Sequence, residues 1–362
     1  MRVLFLTTDA YGGHGGIALY NRDLADALAE LPALREIVVL PRHQPFPALG
    51  VPAKVRFLSE VAGGKWRYIK AALGLAGSRF DLLICGHINL LPLAALLRLR
   101  LNCPLVLLVY GIDVWQPARR ITRFCLRSVS AVWSISALTR ERMNAWAKLP
   151  ETSYRLLPNA IHMDRYGVRP RSAELIARYG LHGRRVIATI ARLPGADRYK
   201  GVDEVLEVMP ALLAAEPNLV YLVVGEGSDR ARLQAKALAL GLREQVVFTG
   251  FVDEAEKADH FRLADAFVLP GRGEGFGFVF LEAMACGVPV VGSKLDGSRE
   301  ALRGGELGEL VDPCDQQSIT SGILSALRRP IAIPPGLEYF SWPRFCERVE
   351  TAIEALLPKD GK

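Results

Sequence analysis

Alternation of strand-type and helix-type segments, running to about Ile161 and restarting at Arg185, predicts an α/β protein with two doubly wound parallel sheets facing a central cleft. Three observations carry this expectation. Short apolar runs of buried-strand type alternate with helix-length amphipathic stretches. Loops rich in glycine, histidine or charge follow those runs directly, as they do at the ligand-binding edge of parallel sheets. The 362 residues, 50% hydrophobic and 23% charged, suffice for two full cores.

Val3-Leu4-Phe5-Leu6 opens the chain as a strand. Gly12-Gly13-His14-Gly15-Gly16 and an amphipathic helix over 17–31 follow, the opening of a nucleotide-binding type of unit. The glycine spacing is not GxGxxG, so a tight turn without a ligand is an equal reading. A second strand at 37–40 stops at Pro41. Lys65-Trp66-Arg67-Tyr68-Ile69-Lys70 mixes basic and apolar residues at helical spacing, as a surface helix does, or one resting on anionic lipid. Strands at 81–85 and 104–109 deliver His87 and Tyr110-Gly111-Ile112-Asp113, so His14, His87, Tyr110 and Asp113 are expected around one crevice. Arg119, Arg120, Arg123 and Arg127 form a basic helix face whose default reading is solvation. A strand at 131–136, a helix at 137–147 and Leu157-Pro158-Asn159 close this half.

In the second half, strands at 185–190, 219–224, 246–248 and 266–270 each precede a loop with chemistry. These loops carry Arg192 with Lys200, then Glu226, then Phe251, then Glu274-Gly275-Phe276-Gly277-Phe278 running on to Glu282. Two cations beside a helix start suit a diphosphate. Gly275 and Gly277 leave N–H groups free where a helix begins at Phe278. Carboxylates accept from vicinal hydroxyls, so Glu282 suits a ribose and Glu274 a sugar. Together these groups describe a sugar-nucleotide site. The expected domains are 1–172 for the acceptor, 173–338 for the donor, and 339–362 as a C-terminal helix crossing back to the first.

The net charge of +7 is unevenly spread: 23 Lys and Arg face 11 Asp and Glu up to Arg171, against 22 and 27 beyond it. The basic half points to an anionic partner, with nucleic acid, an anionic membrane and a phosphate-bearing acceptor as candidates beside scattered solvation charge. Six cysteines without CxxC spacing predict neither disulfides nor zinc and fit a reducing cytosol. The longest apolar run, at 88–97, falls short of the roughly 18–20 residues of a membrane span, so a soluble protein with room for membrane contact is expected.

Glu274-Gly-Phe-Gly-x4-Glu282-Ala-Met-Ala-Cys-Gly-x-Pro-Val-Val resembles the E-x7-E signature of family 4 glycosyltransferases, retaining enzymes of the GT-B fold. The resemblance extends to Arg192 with Lys200-Gly201, Val224-Gly225-Glu226-Gly227, Leu157-Pro158-Asn159 and Gly13-x-Gly15-Gly16, and so covers most of the chain. It implies that Arg192 and Lys200 bind the donor diphosphate, approached also by Gly15 and Gly16. Glu282 would hold the ribose and Glu274 the hexose, with backbone contacts from Gly275, Phe276, Gly277 and Phe278. Arg192, Lys200 and Glu274 would carry catalysis; Glu226 and Phe251 belong to the donor site.

The expected reaction moves a hexose from a UDP- or GDP-sugar to a polyprenyl-diphosphate-linked or other glycan acceptor, in cell-surface polysaccharide synthesis. No cofactor or metal is expected, nor nucleic acid as partner. The implied setting is cytoplasmic, at the inner face of the membrane where the chain touches anionic lipid. Two departures stand out. Tyr110 replaces a frequent His, and the 194–199 insertion brings Arg198 into competition with Arg192. Alternatives are a hydrolytic or non-catalytic sugar-nucleotide binder, and a nicotinamide-dependent dehydrogenase. The last lacks the acidic residue it needs after the second strand, where Leu40-Pro41-Arg42 stands.

Overall fold

Seven strands form the first sheet: β1 (Arg2–Thr7), β2 (Glu36–Pro41), β3 (Val55–Phe57), β4 (Leu82–Cys85), β5 (Leu105–Val109), β6 (Ala131–Ser134) and β7 (Tyr154–Leu156). Their order is β3-β2-β1-β4-β5-β6-β7, and every pairing is parallel. The second sheet comprises β8 (Arg185–Ile190), β9 (Leu219–Val224), β10 (Val246–Gly250), β11 (Ala266–Leu269), β12 (Val290–Ser293) and β13 (Glu309–Val311), in the order β10-β9-β8-β11-β12-β13, again all parallel. The structure is a computed structural model that describes residues 1–13, 15–195 and 198–357.

Each central strand is apolar throughout because helices cover both faces of its sheet. β1, β4 and β5 are buried along nearly their whole lengths, as are β8, β9 and β11. In the first unit, Leu4, Leu83 and Leu107 pack with Tyr68 and Leu97 of the covering helices. In the second, Ile187, Tyr221 and Val268 pack with Val205, Met209 and Ile323. Both sheets reverse direction of strand order beside their first strand, between β1 and β4 and between β8 and β11. Loops that leave the carboxyl ends of such neighbours diverge and open a crevice for a ligand.

The chain divides into Met1–Ala160 with the C-terminal helix Trp342–Leu356, and Ile161–Ser341. The helix Trp342–Leu356 buries Phe345, Val349 and Ile353. Phe345 stands edge-on to Tyr20 at 5.9 Å, and the Trp342 indole donates to Glu30 at 3.0 Å. The changes of unit, at Ala160–Ile161 and Ser341–Trp342, differ from the expected divisions after 172 and 338. The intervening residues are tied to the second unit. Ile161 bridges Ser341, Gly167 N–H donates to the Ala285 carbonyl at 2.9 Å, and Arg171 pairs with Asp265 at 2.7 Å.

The edge strands β3 and β13 were not expected from the sequence; each has three residues and only one is buried. The stretch after Pro170 forms a helix, Ala173–Tyr179, capped by the Ser172 hydroxyl. Among the described residues, no helix is long and apolar enough to cross a membrane.

Candidate active site

Four loops leave the carboxyl edge of the second sheet. The loop after β8 carries Arg192 and Lys200, and that after β11 carries Glu274, so these residues meet across the strand-order reversal. The Lys200 ammonium donates to Glu274 Oε1 in a short ion pair. The two loops are also joined through backbone, Arg272 N–H donating to the Tyr199 carbonyl at 2.8 Å. Burial works against the Lys200 charge, but Glu274 outweighs it and the neighbouring Arg192, and the ammonium pKa stands above its ordinary value. Arg192 is exposed, with no carboxylate partner among the described residues.

Glu274 is held from its backbone. Asp296 Oδ2 accepts from Glu274 N–H at 3.0 Å, Asp296 Oδ1 accepts from Ser298 N–H at 3.0 Å, and Gly297 N–H returns to the Glu274 carbonyl at 2.7 Å. Asp296 is fully buried, which raises its carboxyl pKa. Gly277 turns the chain into the helix Phe278–Ala285 at φ +87°, and a Cβ there would lie 2.5 Å from the Phe280 ring. The helix start therefore exposes N–H groups in a loop that only glycine allows. Phe276 is buried beneath it, against Phe340.

Glu282 lies on that helix with no exposed surface. Its Oε1 accepts from the Lys257 ammonium at 2.6 Å and the Tyr166 hydroxyl at 2.8 Å; Oε2 is buried without a partner. Burial raises the Glu282 pKa, opposed by Lys257 and Tyr166. Glu282 is thus an enclosed carboxylate with one free acceptor position, where a surface carboxylate open to a ribose was expected. A hydroxyl donor satisfies Oε2 once it reaches it.

The loops after β9 and β10 complete this edge. Gly225, at φ +138°, lets β9 turn against the β8 loop, since a Cβ would stand 1.9 Å from the Ala191 carbonyl oxygen. Leu193 N–H then donates to the Glu226 carbonyl at 3.0 Å. The Glu226 side chain pairs with Arg230 at 2.5 Å. Phe251 follows β10 with its ring 75% exposed, an unoccupied stacking surface. Arg198 stands 3.7 Å from Asp229, so it has a carboxylate partner that Arg192 lacks.

In the first unit, Gly15 and Gly16 are exposed at the start of the helix Gly16–Glu30, and His14 lies outside the described residues. His87 lines a hollow of about 360 Å³ with Thr8, Arg42, His43, Lys65 and the apolar Tyr68, Ile69, Leu90 and Leu93. Its Nδ1 accepts from Asn89 N–H at 3.1 Å, which leaves the proton on Nε2. Burial lowers its pKa and keeps the ring neutral. No carboxylate lines this hollow, and Arg42 Nη1 is buried without a hydrogen-bond partner.

Tyr110 and Asp113 are not brought to that surface. The Tyr110 ring is buried and its hydroxyl donates to Asn21 Oδ1 at 2.5 Å, while the Asp113 carboxylate accepts from Tyr110 N–H at 3.2 Å. Both are consumed in closing the turn after β5, which corrects their expected role beside an acceptor.

Three residues of the donor edge were missed in the sequence: Tyr166, Lys257 and Asp296. Only Asp296 had a signal, as an acidic residue between β12 and Gly297-Ser298.

Residues 173–334 match the family described as glycosyl transferases group 1, and residues 15–160 match a glycosyl transferase 4-like domain. A Mycobacterium tuberculosis (strain H37Rv) phosphatidyl-myo-inositol mannosyltransferase is 30% identical over 309 residues, 80% of this chain and 74% of that protein. The chain belongs to the group 1 glycosyltransferase family. A GDP-mannose-dependent alpha-(1-6)-phosphatidylinositol monomannoside mannosyltransferase of Mycolicibacterium smegmatis is 34% identical over 233 residues, 61% of this chain. The match spans 60% of that relative's length, and 51% of a Mycobacterium leprae phosphatidyl-myo-inositol mannosyltransferase. Among solved structures, Anabaena HepE in complex with UDP superposes with a TM-score of 0.78 at 19% identity, covering 98% of this chain and 100% of that one. The lipopolysaccharide outer core galactosyltransferase WaaB gives 0.76 at 17%, covering 99% and 100%. At these identities the likeness is one of fold, and this glycosyltransferase-family chain has the expected GT-B architecture of two parallel-sheet units.

Proposed function

We propose that the chain is a retaining, family 4 hexosyltransferase that moves a sugar from a nucleotide diphosphate to a phosphate-bearing, lipid-linked acceptor. The observation that carries this reading is the Lys200–Glu274 pair beside an unpaired Arg192 and the glycine-opened start of the helix Phe278–Ala285. Lys200, Arg192 and the helix N–H groups meet the diphosphate, whose charge then needs no resident metal. Glu274, released from Lys200, accepts from the hexose hydroxyls. Glu282 accepts from the ribose through Oε2, with Lys257 and Tyr166 fixing its other oxygen. Phe251 offers its ring to the base.

In the reaction, the bond from the anomeric carbon to the phosphate oxygen breaks while the acceptor oxygen bonds to that carbon on the same face. The acceptor proton passes to the departing phosphate oxygen. Such a step depends on fixed charge at the leaving group more than on a strong protein base. Tyr110, engaged with Asn21, is therefore not needed as a base.

The acceptor reading rests on the hollow around His87. Its cationic and imidazole groups without a carboxylate suit a phosphate, and its apolar wall suits a lipid stem. A polyprenyl-diphosphate-linked glycan and an inositol phospholipid both carry that chemistry, and Trp66, 77% exposed on the wall helix, suits contact with anionic lipid at the inner face of the membrane. The mycobacterial relatives named for GDP-mannose and phosphatidylinositol make that pair the first to try.

The test is labelled sugar transfer from a panel of GDP-, UDP- and ADP-sugars, with and without chelator, followed by NMR of the anomeric configuration. Chelator-resistant transfer with the donor configuration kept is expected. Free hexose as the sole product, or an inverted linkage, overturns the reading.

A further inference from the structure

Neither the donor loops nor the hollow around His87 uses the arginines Arg119, Arg120, Arg123 and Arg127. They lie along the helix Arg120–Cys125 and its tighter continuation Leu126–Ser128 in the first unit. All four are exposed, and none has a carboxylate partner among the described residues. Between Asp81 and Glu141 the chain has one acidic residue, Asp113, and its carboxylate is taken by Tyr110 N–H.

Apolar groups stand among these charges. Ile121 and Phe124, one helical turn apart, are 64% and 66% exposed, and the Arg127 guanidinium lies 5.3 Å from the Phe124 ring centre. A hollow of about 460 Å³ opens between Arg120, Arg123, Arg127 and Lys148, with Trp146 and Leu149 in its wall. The adjacent helix Leu91–Leu101 exposes Leu96 and Leu99 and carries Arg98 and Arg100 in its last turn.

We infer that this face of the first unit is a docking surface for an anionic phospholipid bilayer, on which the guanidinium groups take the headgroups and Ile121 and Phe124 enter the interface. The exposed aliphatic and aromatic side chains gain from burial at the boundary between headgroups and acyl chains. Unpaired arginines gain about fivefold in affinity apiece near such a surface. A nucleic acid satisfies the arginines but leaves Ile121 without a partner, so the bilayer is the occupant that uses both sets. The inference adds a surface to the lipid-linked acceptor reading, and the binding it predicts does not depend on catalysis.

Vesicle flotation tests it, with phosphatidylcholine alone and with phosphatidylcholine containing a third of phosphatidylglycerol. The full chain should float with the anionic vesicles and stay behind with the neutral ones. Arg120→Gln/Arg123→Gln/Arg127→Gln should lose about a hundredfold in affinity, from the threefold product of the single effects. Ile121→Ser/Phe124→Ser should lose at least tenfold. Both variants should melt like the parent and keep donor-sugar binding, which separates this face from the transferase reading. The inference is overturned by absence of flotation, by equal flotation with both vesicles, by variants that float like the parent, or by binding of a short DNA duplex as tight as that of the anionic vesicles.

Discussion

Lys200 and Glu274 neutralise each other, and a donor must part them. Glu274→Gln removes the negative partner and leaves the ammonium free for phosphate. Binding of the free nucleotide diphosphate should therefore tighten several-fold by calorimetry, while turnover falls at least tenfold because the hexose loses a charged acceptor. Unchanged nucleotide affinity would show that the pair is structural. Glu282 makes a separate claim at this scale. Replacing it by Ala strands the mostly buried Lys257, and the second unit should lose on the order of 3 kcal/mol in denaturant unfolding. Glu282→Leu with Lys257→Met should recover most of that loss, since an apolar pair needs no compensation.

At the level of elements, the strands that carry both sites were legible as apolar runs because parallel strands are buried on both faces. The Glu274 loop was legible because glycines flanking a carboxylate at a helix start leave few structural readings. The short β3 and β13 escaped because half-exposed edge strands carry little apolar pattern. Lys257 and Tyr166 escaped for another reason: they reach Glu282 from 25 and 116 residues away, a proximity set by tertiary packing alone. The turn after β5 shows the opposite error, a motif legible in sequence whose side chains point into the core. Burial raises Asp113 from 3.8 to about 7, so the folded state holds its proton more tightly than the unfolded chain does. The stability present below about pH 4 is lost as pH rises through 7. Asp113→Asn mimics the protonated form, so it should melt a few degrees above the parent at pH 8 and show no such gain at pH 4.

On the scale of the whole molecule, the chain returns its last helix to the unit it started from, so the first unit is complete only with residues on both sides of the second. Phe345 is fully buried in that closure, against Tyr20 and Trp342. Phe345→Ala should cost the first unit about 3–5 kcal/mol and leave the second unit's transition in place, which calorimetry of the full chain resolves as separated melting. The same division assigns chemistry. The second unit holds the charges that make a diphosphate depart, and that charge is the centre of the account. Its most direct test is the turnover of Lys200→Ala with saturating donor and acceptor, alongside a melting curve. A fall of about two orders of magnitude or more with parent-like melting is predicted, the scale of losing one preorganised charge at a leaving group. Near-parental turnover in the folded variant would contradict it.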